Sequence, residues 1–293
     1  MSIPVERIVA RPSSLGEGLT IRRALPTRER RMVGAWCFLD HIGPVVFGAG
    51  QGMHVGAHPH TALQTFTWMI EGEVLHRDSL GTEQIICPGQ VNLMTAGWGI
   101  SHTEDSVQPG QRLHAAQLWI ALPPDKAAMA PAFEHHPVLP VWEQDGCAFS
   151  LLMGEWEERL APTTTYSPLV AVDLHSQTGA NIDLPLRPEF EYAVLPLEGS
   201  VFVESERYQV GEFACVPVGQ SGLLLALETG SRALLIGGEP YEAPLLMWWN
   251  FVGASKHDIS VAQADWESRS DRFGFVAGAE GRRLHAPAPP WKA

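Results

Sequence analysis

Short apolar runs alternate with glycine and proline turn signals along most of the chain. Glu71-Gly72-Glu73-Val74 has the pattern of a strand that enters a turn, and the polar run from His76 to Gly81 is typical of a hairpin. Pro88-Gly89 is a second turn signal, and residues 95–101 lead directly into His102. Short strands at this spacing predict an all-β fold, built as an antiparallel barrel or jelly roll.

The pattern repeats weakly in the second half of the chain, where Glu198-Gly199-Ser200-Val201 resembles Glu71-Gly72-Glu73-Val74. A proline-rich stretch near 124–145 separates the two copies. We therefore predict two β-barrels in tandem, with domains at 1–130 and 131–293. A chain of 293 residues is long enough for two ordinary domains.

The last part of the chain departs from the strand pattern. Ser255 and Asp258 have the spacing of a helix cap, and Ile259, Ala262 and Trp266 follow at helical intervals. One short C-terminal helix is predicted there. The proline-rich tail over 286–291 cannot form helix or central strand, so an extended arm or a disordered tail is expected.

Composition limits the partners and the compartment. The net charge of −13 repels the DNA backbone, so direct nucleic-acid binding is not expected. No apolar run approaches the roughly 18 residues of a membrane span, and the first residues lack the apolar stretch of a signal peptide. Scattered cysteines without a CxxC pair indicate free thiols in a reducing, cytoplasmic setting; they are Cys37, Cys87, Cys147 and Cys215.

The strongest chemical signal is a pair of short motifs, His58-Pro59-His60 and His102-Thr103-Glu104, which lie 42 residues apart. Residues two apart on a strand share one face, whereas a helix would turn them about 200° from each other. The two pairs therefore predict a metal centre of three imidazoles and one carboxylate inside a barrel. Histidines that only form hydrogen bonds in the core are the simpler alternative, but four ligand-type residues in matched phase favour the metal.

This donor set suits one divalent transition metal: iron, manganese, nickel, copper or zinc. Four protein ligands leave two positions of an octahedron open, which favours a site for substrate or dioxygen over a closed structural zinc site. The positions that correspond to the ligands in the second repeat cannot bind a metal in this way, so we expect the second barrel to be metal-free; they are Pro185, Arg187, Leu224 and Ala226.

The region around these motifs resembles the pirin family, a branch of the cupins. The matching runs are HPHTALQTFTWMIEGEVLHRDSLG and PGQVNLMTAGWGISHTE, and the similarity continues through QLWIALP, LLIGGEPYEAPLLMWWNFV and FGFVAG. Gly52 to His60 fits the first cupin motif, and Gly89 to His102 fits the second loosely, with Thr95 in place of proline. The resemblance implies two cupin barrels and covers nearly the whole chain.

One position departs from the general cupin pattern. Many cupins have a ligand glutamate four residues after the second histidine, where this chain has Gln64. Pirins take their carboxylate from the second motif, which corresponds to Glu104. The resemblance therefore implies His58, His60, His102 and Glu104 as ligands, with Fe(II) as the usual metal.

Two functions follow from the resemblance. The first is quercetin 2,3-dioxygenase-type cleavage of a small aromatic flavonol with O2, in which Glu104 stays a ligand or acts as catalytic base. The alternative is an iron-containing redox sensor that regulates transcription or a metabolic enzyme through a protein partner. Access to the metal discriminates between them, because an open apolar pocket favours the enzyme.

Other residues near the motifs receive weaker expectations. His54 shares the face of His58 only if Gly56 does not break the strand. We expect His76 in a surface polar network and His135-His136 exposed in a connection. At most one of His114 and Gln117 faces inward. Five large side chains are expected mainly in the core, with a few over the metal: Phe66, Trp68, Met69, Met94 and Trp119.

Overall fold

The computed structural model describes residues 3–15 and 19–291, and antiparallel strands dominate it. The strands are β1 Glu6–Val9, β2 Arg11–Leu15, β3 Leu19–Leu25, β4 Trp36–Val46, β5 His54–His60, β6 Leu63–Glu71, β7 Val74–Asp78, β8 Glu83–Ile86, β9 Val91–Thr95, β10 Ile100–Ser106, β11 Arg112–Ala121, β12 Ala132–His136, β13 Val141–Gln144, β14 Cys147–Trp156, β15 Arg159–Leu160, β16 Leu169–Ser176, β17 Ala180–Pro185, β18 Glu191–Glu198, β19 Ser200–Val203, β20 Glu206–Gln209, β21 Glu212–Val216, β22 Gly222–Leu227, β23 Ser231–Gly238, β24 Leu246–Trp248 and β25 Phe251–Gly253. Helix α1 spans Lys256–Glu267, and a single 3-10 turn covers Asp271–Phe273. The predicted all-β class with a short C-terminal helix is confirmed.

The chain packs into two compact units, and each unit is discontinuous in sequence. Unit 1 contains Met1–Ser13, Arg22–His41 and Val138–Tyr241, and unit 2 contains Ser14–Ile21, Ile42–Pro137 and Glu242–Ala293. This differs from the predicted continuous domains 1–130 and 131–293. The C-terminal helix and tail belong to the same unit as the histidine motifs, and the tail bonds directly to strand β5, where Leu284 N donates to Ala57 O at 2.9 Å. Local sequence patterns do not show that the C-terminal segment packs with strands that come about 190 residues earlier in the chain.

Unit 1 holds a sheet in the order β1-β21-β18-β23-β16-β14-β13 and a second sheet in the order β17-β22-β19-β20. Alternation in β17 is strict, since Ala180, Ile182 and Leu184 are buried while the residues between them are exposed. Side chains of this kind from both sheets form one apolar core. The unit is thus a β-barrel of its own, as the weak repeat predicts.

Unit 2 holds a sheet in the order β5-β10-β7-β8 and a sheet that runs β12-β9-β6-β11-β4. Strand β6 is buried over Leu63–Ile70 and forms long pairings with β9 and β11. Met69, Val74 and Leu113 belong to an apolar cluster between elements of this unit. The cluster leaves the strands β5, β7 and β10 to carry the polar interior described below.

Helix α1 begins as its sequence predicts. Ser255 is the N-cap, with Asp258 N donating to Ser255 Oγ at 3.2 Å and Ser255 N donating to Asp258 Oδ2 at 2.8 Å. Ile259, Ala262 and Trp266 form its buried face. Within the described part of the chain, no helix is long and apolar enough to span a membrane.

The tail after the helix is an extended arm packed on unit 2. Trp248 Nε1 donates to Pro287 O at 3.2 Å, and Trp291 Nε1 donates to Ser260 Oγ at 3.1 Å. Gly56 on β5 lies directly against the arm, because a Cβ added there would come 1.9 Å from Arg282 O. Only glycine allows so close an approach of two backbones.

Candidate metal centre

The two histidine motifs lie on neighbouring antiparallel strands. Strand β5 pairs with β10 so that His58 is directly opposite His102. His60 follows two residues after His58 and therefore points to the same side of the sheet. Strand pairing, not sequence proximity, brings the first motif to the second.

Three imidazoles converge at this point. The ligand atoms of His58, His60 and His102 all lie within 4.8 Å of one another, and the three residues are only 6%, 1% and 2% exposed. The distance between His60 Nε2 and His102 Nε2 is 3.1 Å. Such a cluster of ring nitrogens is a favourable site for one transition-metal ion.

Each of the three rings uses its Nδ1 atom outside the cluster. His58 Nδ1 lies 2.8 Å from Gly56 O, His60 Nδ1 lies 3.1 Å from Asn250 O, and His102 Nδ1 lies 3.3 Å from His76 Nδ1. A carbonyl oxygen only accepts, so the first two rings must carry their proton on Nδ1. Their Nε2 lone pairs then converge on one point, where a cation would relieve their mutual repulsion. Because their Nε2 lone pairs converge in this way, the three histidines fit a bound metal ion.

Burial keeps the cluster uncharged. Desolvation lowers the pKa of His58 to about 4, against an opposing hydrogen bond to Gly56 O. Desolvation, followed by repulsion from neighbouring histidines, also lowers the pKa of His60 and of His102 well below the usual value. The imidazoles are therefore neutral at pH 7 and ready to act as ligands.

Glu104 lies on the same strand face as His102, since β10 pairs with β7 in regular register through both residues. Its ligand atoms are outside the 4.8 Å group that the three histidines form. Desolvation, with repulsion from Asp105 as a second cause, raises the pKa of Glu104 to about 7. The carboxyl is thus near half-ionised at neutral pH without a metal, and its place as fourth ligand stays a prediction.

Gly56 breaks the phase of β5, so the condition for His54 to share the face of His58 is not met. The β5–β10 register shifts between His102 and Glu104, which gives β5 one extra residue. His54 therefore points away from the cluster and lies 2.9 Å from Asp105 Oδ1. Asp105 also accepts two hydrogen bonds from Arg282, at 2.7 and 3.0 Å. These hydrogen bonds of Asp105 connect the C-terminal arm to strand β10.

His76 is not part of a surface network, so that expectation is wrong. It lies on β7 opposite Glu104, is 4% exposed, and stacks on Phe133 with ring centroids 4.5 Å apart. His76 Nε2 lies 3.1 Å from Asp78 Oδ2. The residues from His76 to Gly81 have the composition of a turn, but His76 and Asp78 lie at the buried end of strand β7.

Of the remaining candidates, Gln64 lies outside the ligand group, whereas Trp119 contacts a ligand histidine. Gln64 Nε2 donates to Thr95 Oγ1 at 3.0 Å, and Gln64 is outside the ligand group. Gln117 accepts from Thr67 Oγ1 at 2.7 Å and shares the strand face of Trp119. Trp119 meets the ring of His60 at a centroid distance of 5.0 Å, so it lines the centre.

Other expectations about these positions had mixed outcomes. Phe66, Trp68, Met69 and Met94 are buried, as expected. The expected exposure of His135-His136 is wrong, because both are half-buried in β12, which pairs with β9. Cysteines 37, 147 and 215 are buried and Cys87 is half-buried, and all four are free thiols.

Sequence reasoning missed two contributors to the centre. Asp78 supports His76, and the backbone of Asn250 supports His60 from 190 positions away. His76-Arg77-Asp78 repeats the two-residue spacing of the ligand motifs, and that signal could have placed both side chains on one strand face. The Asn250 carbonyl leaves no mark in the sequence.

Comparison with known proteins gives a consistent family. The Pirin family model matches residues 18–120, and the Pirin C-terminal cupin domain matches residues 171–274. A Pseudomonas aeruginosa protein, whose name gives quercetin 2,3-dioxygenase as a provisional activity, is 54% identical over 98% of this chain and 91% of its own length.

Two solved structures show the same architecture. Quercetin 2,3-dioxygenase from Acinetobacter baumannii superposes with a TM-score of 0.96 and 48% identity, over 99% of this chain and 97% of that one. A bacterial pirin from Escherichia coli, solved in complex with nickel(II), shares the fold at a TM-score of 0.65 and 18% identity, over 81% of this chain and all of that one. With both barrels matched and the histidine motifs in place, this chain belongs to the pirin family of two-barrel cupins.

Proposed function

We propose that this chain is a metal-dependent dioxygenase that opens the ring of flavonols such as quercetin with O2. Fe(II) would be held by His58, His60, His102 and Glu104. The observation that carries the proposal is the convergence of three neutral imidazoles within 4.8 Å, each with its Nδ1 atom engaged elsewhere. The name of the A. baumannii relative, which is 48% identical, supports the choice of substrate.

When bound, the metal supplies a Lewis acid that lowers the pKa of a flavonol hydroxyl and a place for dioxygen. The chain supplies the rest. Trp119 provides an aromatic wall beside His60, which suits a flat substrate. Glu104, the carboxylate on the same strand face as His102, would accept the hydroxyl proton.

Oxygen uptake tests the proposal directly. The protein is reconstituted anaerobically with Fe(II), mixed with quercetin, and exposed to a known amount of O2. We expect O2 uptake with loss of the quercetin absorbance, and neither change in the double variant His58→Ala, His60→Ala. His136→Ala, which removes a histidine from β12, is the matched control and should keep both signals. One equivalent of bound Fe(II) without turnover would refute the enzyme and favour the regulatory alternative.

The role of Glu104 needs its own variant. Glu104→Gln keeps the size of the side chain but removes the ionisable oxygen. The Fe(II) content of the variant is measured first and its turnover second. We expect turnover per bound iron to be reduced by about 10²-fold or more. Full turnover at full iron content would show that Glu104 is not the base.

The cellular setting is also inferred. Four scattered cysteines, none of them in a disulfide, support a reducing, cytoplasmic compartment, because secreted proteins commonly use their cysteines as disulfides. The charge of −13 argues against direct contact with nucleic acid.

A further inference from the structure

Among the three histidines of the centre, His102 has an unusual support. His58 and His60 direct Nδ1 at backbone carbonyls, whereas His102 directs Nδ1 at another imidazole, His76. A carbonyl enforces one tautomer on its partner, but an imidazole can either donate or accept. What fixes the proton of His102 must therefore be sought beyond His76.

Asp78 resolves this choice. Its Oδ1 accepts from the backbone N–H groups of Leu80 at 2.9 Å and Thr82 at 3.1 Å, and its Oδ2 faces His76 Nε2 at 3.1 Å. Burial alone would raise the pKa of Asp78, but the hydrogen bonds from His76 and Thr82 outweigh it and hold the pKa below the usual value. The carboxylate is ionised and can only accept, so His76 Nε2 carries a proton.

The proton positions of the chain then follow one from another. When His76 carries its one proton on Nε2, facing Asp78, its Nδ1 is bare and can only accept. His102 must donate from its own Nδ1 across the 3.3 Å contact, and its Nε2 is left bare at 3.1 Å from His60 Nε2. This is the tautomer that a metal at the cluster requires.

Packing holds the support in place. His76 and Asp78 are 4% and 2% exposed, and they sit two residues apart on β7, directly opposite Glu104 and His102 on β10. Phe133 stacks on the His76 ring with an interplanar angle of 21°. The ring cannot turn without losing this stack and both hydrogen bonds.

We propose that His76 and Asp78 are a positioning pair that fixes the Nδ1–H tautomer of His102 and so presents its Nε2 lone pair to the metal. In this role the pair acts through the His102 ring and is not itself a ligand. The proposal rests on the proposed metal role of His102, and it assigns to the His-x-Asp motif of β7 a function distinct from the ligands. A buried histidine next to a carboxylate is a common way to orient a ligand histidine, although here the imidazole stands between the carboxylate and the ligand.

The first test needs no metal. Long-range ¹H–¹⁵N correlation spectra of the metal-free protein report which nitrogen of each histidine carries the proton. We expect His102 as the Nδ1–H tautomer and His76 as the Nε2–H tautomer. His102 in the Nε2–H tautomer would overturn the proposal, whatever the enzyme does.

The second test measures Ni²⁺ affinity by competition with a chelator, since Ni²⁺ does not react with O2. Replacing His76 by Phe keeps an aromatic ring against Phe133 but removes the acceptor, and we expect affinity to fall by about 10- to 100-fold. His76→Gln restores an acceptor and a donor, so it should recover most of the loss. His136→Phe is the matched control, because His136 also pairs with a carboxylate two residues away, Glu134, at 3.0 Å.

The outcomes separate the two proposals. Affinity of His76→Phe within twofold of the parent would refute the positioning role. Loss in both the Phe and Gln variants, with the His136→Phe control intact and the variants folded by circular dichroism, would also contradict it. A protein that binds Ni²⁺ as expected but does not turn over quercetin would refute the dioxygenase while leaving the positioning pair supported.

Discussion

The sharpest prediction concerns protons released when the metal binds. The three imidazoles are already neutral at pH 6, whereas Glu104 has a pKa of about 7 in the metal-free protein. A bound dication favours the ionised carboxylate, so binding should expel the Glu104 proton wherever it is present. About nine-tenths of the Glu104 carboxyls are protonated at pH 6 and about one-tenth at pH 8.

The magnitude follows directly. Binding of Ni²⁺ should release about 0.9 proton at pH 6 and about 0.1 at pH 8, and affinity should be about tenfold weaker at pH 6, or ~1.4 kcal/mol. Isothermal titration calorimetry in two buffers of different ionisation enthalpy measures the proton count. Glu104→Gln should release almost none at either pH. Equal release from the parent protein and Glu104→Gln, or none from the parent at pH 6, would refute this account of the fourth ligand.

Three further predictions concern stability. Gly56→Ala should destabilise the protein by about 1–3 kcal/mol in urea unfolding and weaken Ni²⁺ binding, because a Cβ would lie 1.9 Å from Arg282 O; Gly222→Ala, with its nearest contact at 3.4 Å, should change stability little. Neutral His58 stabilises the fold, and this contribution is the difference in free energy of unfolding between the metal-free parent and His58→Phe. The difference should reach its full value above pH 6.5. It should decrease by about 3 kcal/mol as the pH falls to 4, and a constant difference would contradict the pKa of about 4. Ser255→Ala should cost about 1 kcal/mol, seen as a lower urea midpoint, because it removes the cap of helix α1; an unchanged midpoint would mean that the cap bond is not formed in solution.

How far the sequence predicts this molecule depends on the range over which each feature is determined. The i, i+2 spacing of His58 and His60 is local, so strand geometry alone predicts their shared face. The helix from Lys256 to Glu267 is also local, because its cap and its apolar positions lie within one segment. The same spacing was available for His76 and Asp78, but their polar neighbours are equally typical of a turn.

Other features were beyond a local pattern. The extra residue at Gly56 turns His54 away from His58, and at this same residue the backbone of Arg282 approaches β5. The division into two units likewise depends on where the segment after residue 241 returns, which is a property of tertiary packing. No periodicity in the chain encodes either fact.

The three supports of the histidines differ in how far along the chain they come from, and this difference has a consequence. Gly56 supports His58 from two residues away, His76 supports His102 from the adjacent strand, and Asn250 supports His60 from the C-terminal segment. That segment must therefore be in place before all three Nε2 atoms can converge. Metal binding then favours the docked segment by linkage, since a ligand stabilises the state that binds it. The metal centre is thus coupled to the fold of unit 2 as a whole, and β5 and β10 by themselves provide only part of it.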